Sequence, residues 1–429
     1  MLAKIAADIA TAGGRAYYVG GYVRDHLMGR PHSQEEDVDV EVIGLDPQTL
    51  RSILSRYGDT RLVGKSFPVM LIKGFPRWDF TVPPKPGLSL AEASSRRDFT
   101  INAMMIDILS GEIIDYFNGQ ADLRQGIIRH TTPGVMAEDP LRAYRACQFA
   151  ARFGFVIHPD TLALISRTDL SQVQPDRIFQ ELLKLLMLSA RPSVGLVYML
   201  DSGILEKVHP LLFALTTCPQ DARRHPEGSV WEHTLLVVDR AAGLKSSSSY
   251  AEAFMLAALL HDLGKPQVTR PGPKGLTTHG HDQKGALLAL DFLHGLTRHR
   301  RLIESVTSLV REHMQPVLLY KQRDHVGDKA LVKLLERVDL GELLLLAEAD
   351  LLGRGQELDF LVIRQWLEAR ISRLGILPGQ KLAPLVRGRD LVAAGIKPGP
   401  AYSSLLEKAL DLQLAGKSKT EILEILLKT

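Results

Sequence analysis

The stretch Glu36-Asp37-Val38-Asp39-Val40-Glu41-Val42 alternates acids with valines. Side chains two apart on a strand face the same way, so Asp37, Asp39 and Glu41 share one face and the three valines share the other. The valines ask for a core beneath the strand, and the acids are left for solvent or a cation. Taken alone, such a stretch is an ordinary amphipathic edge strand. Its upstream neighbour changes the reading. Ala16-Tyr17-Tyr18-Val19 has strand composition and runs into Gly20-Gly21-Tyr22-Val23-Arg24-Asp25. A glycine pair after a strand lets backbone amides approach a triphosphate closely, with Arg24 as a nearby cation. A phosphate cradle beside a carboxylate pair is the minimum equipment for two-metal nucleotidyl transfer, in which carboxylates hold divalent ions against an attacking hydroxyl and a leaving pyrophosphate.

Outward from this pair the first 130 residues read as a mixed module. Helices are expected at 3–12, 22–28, 47–57 and 89–105. Strands are expected at 16–19, 37–44, 59–63, 68–73 and 77–82. Two short strands flank Ser110-Gly111, and a turn at Asn118-Gly119 leads to a last strand. From about residue 135 helical spacing takes over. It is broken at Pro159, Pro175, Arg191-Pro192, residues 215–228, Ser246 to Ser249 and the Pro/Gly-rich residues 271–275. The fold class is therefore α+β: a mixed-sheet head followed by an all-helical remainder, without internal repeats.

At 429 residues, 45% of them hydrophobic, the chain is long enough for two to four folded domains. A formal charge of +3 leaves any nucleic-acid partner to local basic surface. Two cysteines, Cys147 and Cys218, cannot form a disulfide framework or a zinc cluster, which fits buried filler in a reducing cytoplasm. No apolar run reaches the roughly 18 residues of a membrane span, and no basic leader precedes an apolar core. No membrane association is expected.

Further motifs follow in order: RRDFTINAM from Arg96, DYFNGQADLRQGIIR from Asp115, AEDPLRAYRACQFAARFGF from Ala137 and DRIFQELLKLL from Asp176. Together with GGYVRDHLMG and DVDV, they resemble the class II tRNA nucleotidyltransferase and bacterial poly(A) polymerase family, with its polymerase-β-like head. The resemblance implies magnesium ions on Asp37 and Asp39 as the catalytic pair. It implies Gly20, Gly21 and Arg24 at the triphosphate, and Arg97, Asp98 and Asn102 at the ribose. Glu138, Asp139 and Arg142 would form a protein template for the base edge, where a carboxylate accepts and a guanidinium donates, and Arg145 would join the nucleotide contacts. The template motif is expected to open a helix at Glu138. Asp79 is either a third carboxylate or a structural acid, and Glu41 stands behind the pair rather than in it.

Two features depart from the family pattern. Gln148 stands where Arg is common. The stretch FTVPPKPGLSLAEASS before Arg96 is shorter than the polar loop of complete CCA-adding members. A mobile loop can reshape a pocket between substrates. The short version implies an enzyme that adds the two cytidines from CTP and leaves the adenosine to a separate A-adding enzyme. The alternative is a complete CCA-adding enzyme using CTP and ATP. A poly(A) polymerase fits less well, since that branch usually lacks an HD domain and ends in a basic tail, and intact Asp37 and Asp39 argue against an RNA-binding protein with an inactive head.

In the helical part, the apolar run FMLAALL ends in His261-Asp262-Leu263-Gly264-Lys265, with His233 upstream and His279, His281, His313 and Asp350 downstream. Imidazole and carboxylate ligands suit divalent transition metals and water activation at phosphate esters. The order H...HD...D resembles the HD-domain metal-dependent phosphohydrolases, which implies His233, His261, Asp262 and Asp350 as ligands and Lys265 as a phosphate neutraliser. His279, His281 and His313 are open between a second metal site, a phosphate contact and simple solvation. The expected organisation is a head at 1–130, a neck at 131–215, an HD body at 216–360 and a helical tail at 361–429, with tRNA as partner.

Overall fold

The computed structural model describes residues 1–30, 37–63, 69–83, 87–223, 225–273, 275–354, 359–376 and 380–428. Glu36 of the opening stretch and residues 84–86 of the short loop lie outside the described residues. The chain divides into two units, Met1–Leu185 with Val194–Val208 and Leu186–Ser193 with His209–Thr429.

In the first unit, α1 (Leu2–Thr11) precedes β1 (Arg15–Val19) and α2 (Gly21–Leu27), and β2 (Val38–Ile43) carries the opening stretch. α3 (Pro47–Leu54) begins where the Asp46 side chain accepts from the amides of Gln48 and Thr49, with Pro47 preset for the first turn. β3 (Thr60–Val63), β4 (Val69–Ile72) and β5 (Phe75–Thr81) follow, then α4 (Leu90–Ser95), β6 (Met105–Asp107), β7 (Ile113–Ile114) and α5 (Gly119–Gln125). The sheet order is β3-β4-β5-β2-β1-β6-β7. β2 therefore lies at its centre, antiparallel to β1 and parallel to β5, with Asp39 in register with Asp79. Val38, Val40 and Val42 join Ile5, Ile9, Leu50, Leu54 and Phe80 in one core. The alternation of the opening stretch thus anchors a central strand rather than an edge.

Three expectations are corrected. Residues 89–105 are not one helix: α4 ends at Ser95, a 3-10 turn covers Thr100–Asn102 and β6 begins at Met105. The Asp98 carboxylate accepts from the Phe99 amide and from Asn102 Nδ2, and local bonds of this kind compete with helix continuation. Asn118-Gly119 does not lead straight to a strand but starts α5, with Asn118 left-handed at φ 59. The helix expected from Glu138 is split into α6 (Val135–Glu138) and α7 (Arg142–Phe153). Pro140 is the cause, since the residue before a proline avoids the helical region, and Asp139 is extended at φ -148, ψ 98. Beyond α7 come α8 (Pro159–Arg167) and α9 (Pro175–Leu188).

Among its described residues the second unit is helical apart from a small hairpin, Arg270–Gly272 with Gly275–Thr277, where only a break in helical spacing was expected. Its five principal helices are Val230–Leu244, Ala251–Leu260, His281–His294, Arg300–Glu312 and Leu340–Gly353. A capping box of Ser229 and Glu232 starts the first of them. Residues 253 to 260 of the second are all buried, so this helix is central. Among the described residues four more helices follow from Phe360, and Val386, Leu391, Ala409, Ile422 and Leu426 form a small core of their own.

Candidate functional site

Register places Asp39 and Asp79 side by side on one face of the sheet. Burial raises the Asp39 carboxyl above its ordinary value, with Asp79 and Asp37 adding to the rise and Arg97 and Arg145 opposing it. Asp79 is raised by burial and by Asp37. Asp37, Asp39 and Asp79 offer a hard oxygen donor set suited to magnesium.

Gly20 closes the site from the β1 side. Its φ of 67 is in the left-handed region, and a Cβ there would stand 3.1 Å from Asp39 Oδ2 and 3.5 Å from Arg97 Nη1. Only glycine lets the backbone come so near the carboxylate. Arg97 Nη2 donates to Glu41 Oε2 at 2.7 Å, so Glu41 is buried as the partner that steadies Arg97.

Behind this front lies a buried polar chain. Arg24, at 3% exposure, donates to Asn102 Oδ1 at 2.7 Å and to Asp25, and its guanidinium lies 4.6 Å from the Phe153 ring centre. Asn102 Nδ2 in turn donates to Asp98 at 2.9 Å, and Arg145 Nε donates to the other Asp98 oxygen at 2.8 Å. Burial would raise Asp98, yet Arg145 and the bonds from Asn102 and Phe99 hold it below the usual carboxylate range. Arg24, expected at the triphosphate, is therefore turned inward as an organiser of the 3-10 turn. The residues expected to form the base template are also tied down. Arg142 donates to the carbonyls of Val135 and Arg96 and lies 3.4 Å from Glu138, and Arg177 Nη2 donates to Asp139 at 2.8 Å. Arg177 falls inside a motif of the sequence but carried no expected role. Gln148 is buried, and its Nε2 finds no partner among the described residues.

In the second unit the metal-ligand types converge. His233 Nε2 is 3.0 Å from Asp350 Oδ1 and 3.4 Å from His261 Nε2, and His261 Nε2 is 3.1 Å from Asp262 Oδ2. Lys265 Nζ lies 2.6 Å from the same Asp262 oxygen and donates to Gln220. His281 Nε2 is 3.2 Å from His313 Nε2 and 3.5 Å from Asp262 Oδ1. All of these ligand types are at least nine-tenths buried. His279 is exposed and outside the cluster.

Sequence reasoning missed three partners here. Glu227 Oε1 is 2.8 Å from His233 Nδ1 and 2.9 Å from His225 Nδ1, and Arg354 pairs with Asp350 one helical turn away. Glu227 is held down to about 2, against its burial, by His233 and His225. Asp262 and Asp350 also stay well below the carboxylate range despite burial, through His261 and Lys265 for the first and Arg354 and His233 for the second. Two ionised, buried carboxylates among imidazoles fit a divalent transition metal.

Among the described residues no helix is long and apolar enough to cross a membrane. Cys147 and Cys218 are buried free thiols. The Poly A polymerase head domain family matches residues 16–129, the family described as the probable RNA and SrmB-binding site of polymerase A matches 154–215, and the HD domain family matches 230–355. The Multifunctional CCA protein of Nitrosococcus oceani is 34% identical over 418 residues, covering 91% of this chain and 96% of that one. Its namesake in Xanthomonas campestris is 33% identical over 423 residues, covering 92% and 97%. Among solved structures, the Bacillus stearothermophilus CCA-adding enzyme in complex with CTP is similar at TM-score 0.69 and 23% identity, over 100% of this chain and 96% of that one. The Thermotoga maritima CCA-adding enzyme complexed with tRNA is similar at TM-score 0.63 and 20% identity, over 99% and 94%. At these identities the likeness is one of fold. Matched along nearly its whole length, the chain belongs to the class II tRNA nucleotidyltransferases, in the form that carries an HD domain.

Proposed function

We propose that the chain builds the CCA end of tRNA from CTP and ATP in its head and hydrolyses phosphate esters at RNA ends in its HD unit. The observation that carries the first part is the register of Asp39 with Asp79 beneath the Gly20 backbone. In the reaction the tRNA 3′-hydroxyl oxygen bonds to the α-phosphorus, the bond from that phosphorus to the β-bridging oxygen breaks, and pyrophosphate leaves. Asp37, Asp39 and Asp79 would hold magnesium, which when bound activates the hydroxyl and neutralises the charge that develops. The Gly20 and Gly21 backbone receives the triphosphate. Arg97, steadied by Glu41, faces the nucleotide, while Asp98, Arg145, Asn102 and Arg24 keep the 3-10 turn in place beneath it. Asp139 and Arg142 offer acceptor and donor to the base edge, with Glu138 and Arg177 fixing their orientation.

Names shared with full-length relatives favour the complete reaction over the CC-only reaction expected from the short loop. The CC-only reading keeps one specific observation in its favour: residues 82–89 alone join β5 to α4. Incubating purified protein with CTP, ATP and tRNA ending before the first cytidine, then sequencing the products, decides between them. Products ending in CCA support the complete enzyme. Accumulation at CC sinks it and requires a separate A-adding partner.

In the HD unit His233, His261, Asp262 and Asp350 would hold a divalent transition metal, which when bound activates water toward a phosphate ester. Lys265 is poised to meet the ester's charge. In this reading residues 1–130 serve as head, 131–215 as base-reading neck, 216–360 as HD body and 361–429 as tail. Two buried free thiols fit work in the reducing cytoplasm.

A further inference from the structure

We infer that Arg30 and Arg152, set against the Phe153 ring, hold the outer phosphates of the incoming nucleotide. The inference rests on reading the head as a nucleotidyltransferase and deepens it. Three guanidinium groups gather on this ring, those of Arg24, Arg30 and Arg152, their central carbons 4.6, 5.1 and 5.0 Å from its centre. Asp25 is the carboxylate that serves them, 2.9 Å from Arg24 and 3.8 Å from Arg30. Among the described residues Arg152 makes no hydrogen bond or ion pair. Burial lowers the Arg152 guanidinium below its ordinary value, Arg24 and Arg30 lower it further, and Asp25 opposes them. The ring face offsets part of this repulsion, and an anion would offset the rest.

The position of the cluster says which anion. Helix α7 carries Arg142, Arg145, Phe149 and Arg152 on one face, since steps of three and four residues return to the same side. Arg142 is among the residues expected at the base edge, and Arg145 holds Asp98 of the turn expected at the ribose. Seven residues beyond Arg145, Arg152 lies about 10 Å further along the axis. Base, ribose and phosphates follow one another in a nucleotide, so the far end of this series falls to the phosphates. The glycine pair lies at the same cluster, because a Cβ on Gly21 would stand 3.4 Å from Arg24 Nη2. Arg24 is itself turned inward to Asn102, and Gln148, one turn before Arg152, is buried and carries no charge. Arg30 and Arg152 are the members of the cluster that reach solvent, Arg30 with 42% of its side chain. A guanidinium suits the task, since its fork of donors meets phosphate oxygens two at a time.

The test is steady-state incorporation by the full chain on tRNA ending before the first cytidine, with CTP and tRNA varied in turn. Arg30→Gln and Arg152→Gln are each expected to raise KM for CTP about tenfold or more, the loss of a charge-assisted contact, and to leave KM for tRNA unchanged. Product inhibition by pyrophosphate should weaken by a similar factor, while inhibition by CMP, which lacks the outer phosphates, should stay the same. Arg152→Lys keeps the charge without the fork and should fall between wild type and Arg152→Gln. A rise in KM for tRNA with that for CTP unchanged assigns these arginines to the RNA backbone and overturns the inference, as does no change in either. A wild type that incorporates no CTP fails the reading of the head instead. Equilibrium dialysis of CTP against wild type and variants then decides the subsite alone, equal affinities overturning it. If Arg152→Gln does not fold, Arg30→Gln at its exposed position carries the same test.

Discussion

Asp39 lies where burial and two neighbouring acids press against its ionisation, and Arg97 and Arg145 oppose them. A divalent cation would relieve that repulsion, so the residue is arranged for a charge it does not itself carry. Asp39→Asn removes one ligand oxygen's charge without changing shape. Losing several kcal/mol of transition-state charge stabilisation corresponds to about a hundredfold or greater drop in CTP incorporation. Primer-extension rates on tRNA measure it, and hydrolysis of a model phosphodiester by the same preparation should be unchanged. Asp98 is the opposite case, a buried carboxylate whose ionised form is favoured by Arg145, Asn102 and the Phe99 amide. Its folded-state value is depressed, so its contribution to stability is present above the unfolded value of about 4 and is lost as pH falls through the lower folded-state value. Asp98→Asn takes from Arg145 its partner at 2.8 Å and leaves it Glu181 at 3.9 Å, and it is expected to cost about 1–3 kcal/mol near neutrality. The gap in melting temperature between wild type and variant should narrow below about pH 4, and a gap independent of pH would assign the loss to packing instead.

At the scale of elements, the 3-10 turn that carries Asn102 is held by α5. Gly119 begins that helix, and a Cβ there would overlap the Thr100 carbonyl oxygen and crowd Met104. Gly119→Ala should cost about 1–3 kcal/mol of stability by overpacking and lower incorporation by displacing the turn. Gly243 supplies the contrast, since it lies in the helix Val230–Leu244 with nothing within 4 Å of its would-be Cβ. There alanine should add about 0.5–1 kcal/mol by removing backbone freedom from the unfolded chain. Denaturant melts of both variants test the pair. The two sites also mark what the sequence could disclose. β1, β2 and β5 were legible because alternation over a core leaves a period-two pattern, and the helices that start at Pro159, Pro175 and Pro192 were marked by visible prolines. The helix expected at 89–105 failed because Asp98 satisfies backbone and side-chain donors locally, which periodicity does not register. The break at Pro140 was written in the chain but was outweighed by the acidic start of the motif. His233 and Asp350 meet across 117 residues, so their ligand types were legible while Glu227 and Arg354, which set their geometry, were not.

For the molecule as a whole, each of the two units carries its own core and its own candidate chemistry, which makes the two metal requirements separable. The head offers oxygen donors suited to magnesium, a weakly held ion exchanged with solvent. The HD unit offers buried imidazoles and carboxylates that are formed only when the helices Val230–Leu244, Ala251–Leu260, His281–His294, Arg300–Glu312 and Leu340–Gly353 are folded together. A ligand that binds only the folded form stabilises it by about 2.7 kcal/mol at a hundredfold excess over its Kd. For a unit of this size that corresponds to a rise of roughly 5–10 °C in melting temperature. Scanning calorimetry of the full chain should therefore show one transition that falls by this amount when the transition metal is chelated and recovers when it is returned. The transition belonging to the head should not move, and CTP incorporation should return on adding magnesium alone. If chelation instead shifts both transitions together, the units unfold as one and metal in the HD centre supports the head as well. If neither moves, the imidazole cluster does not bind the metal tightly enough to matter to folding.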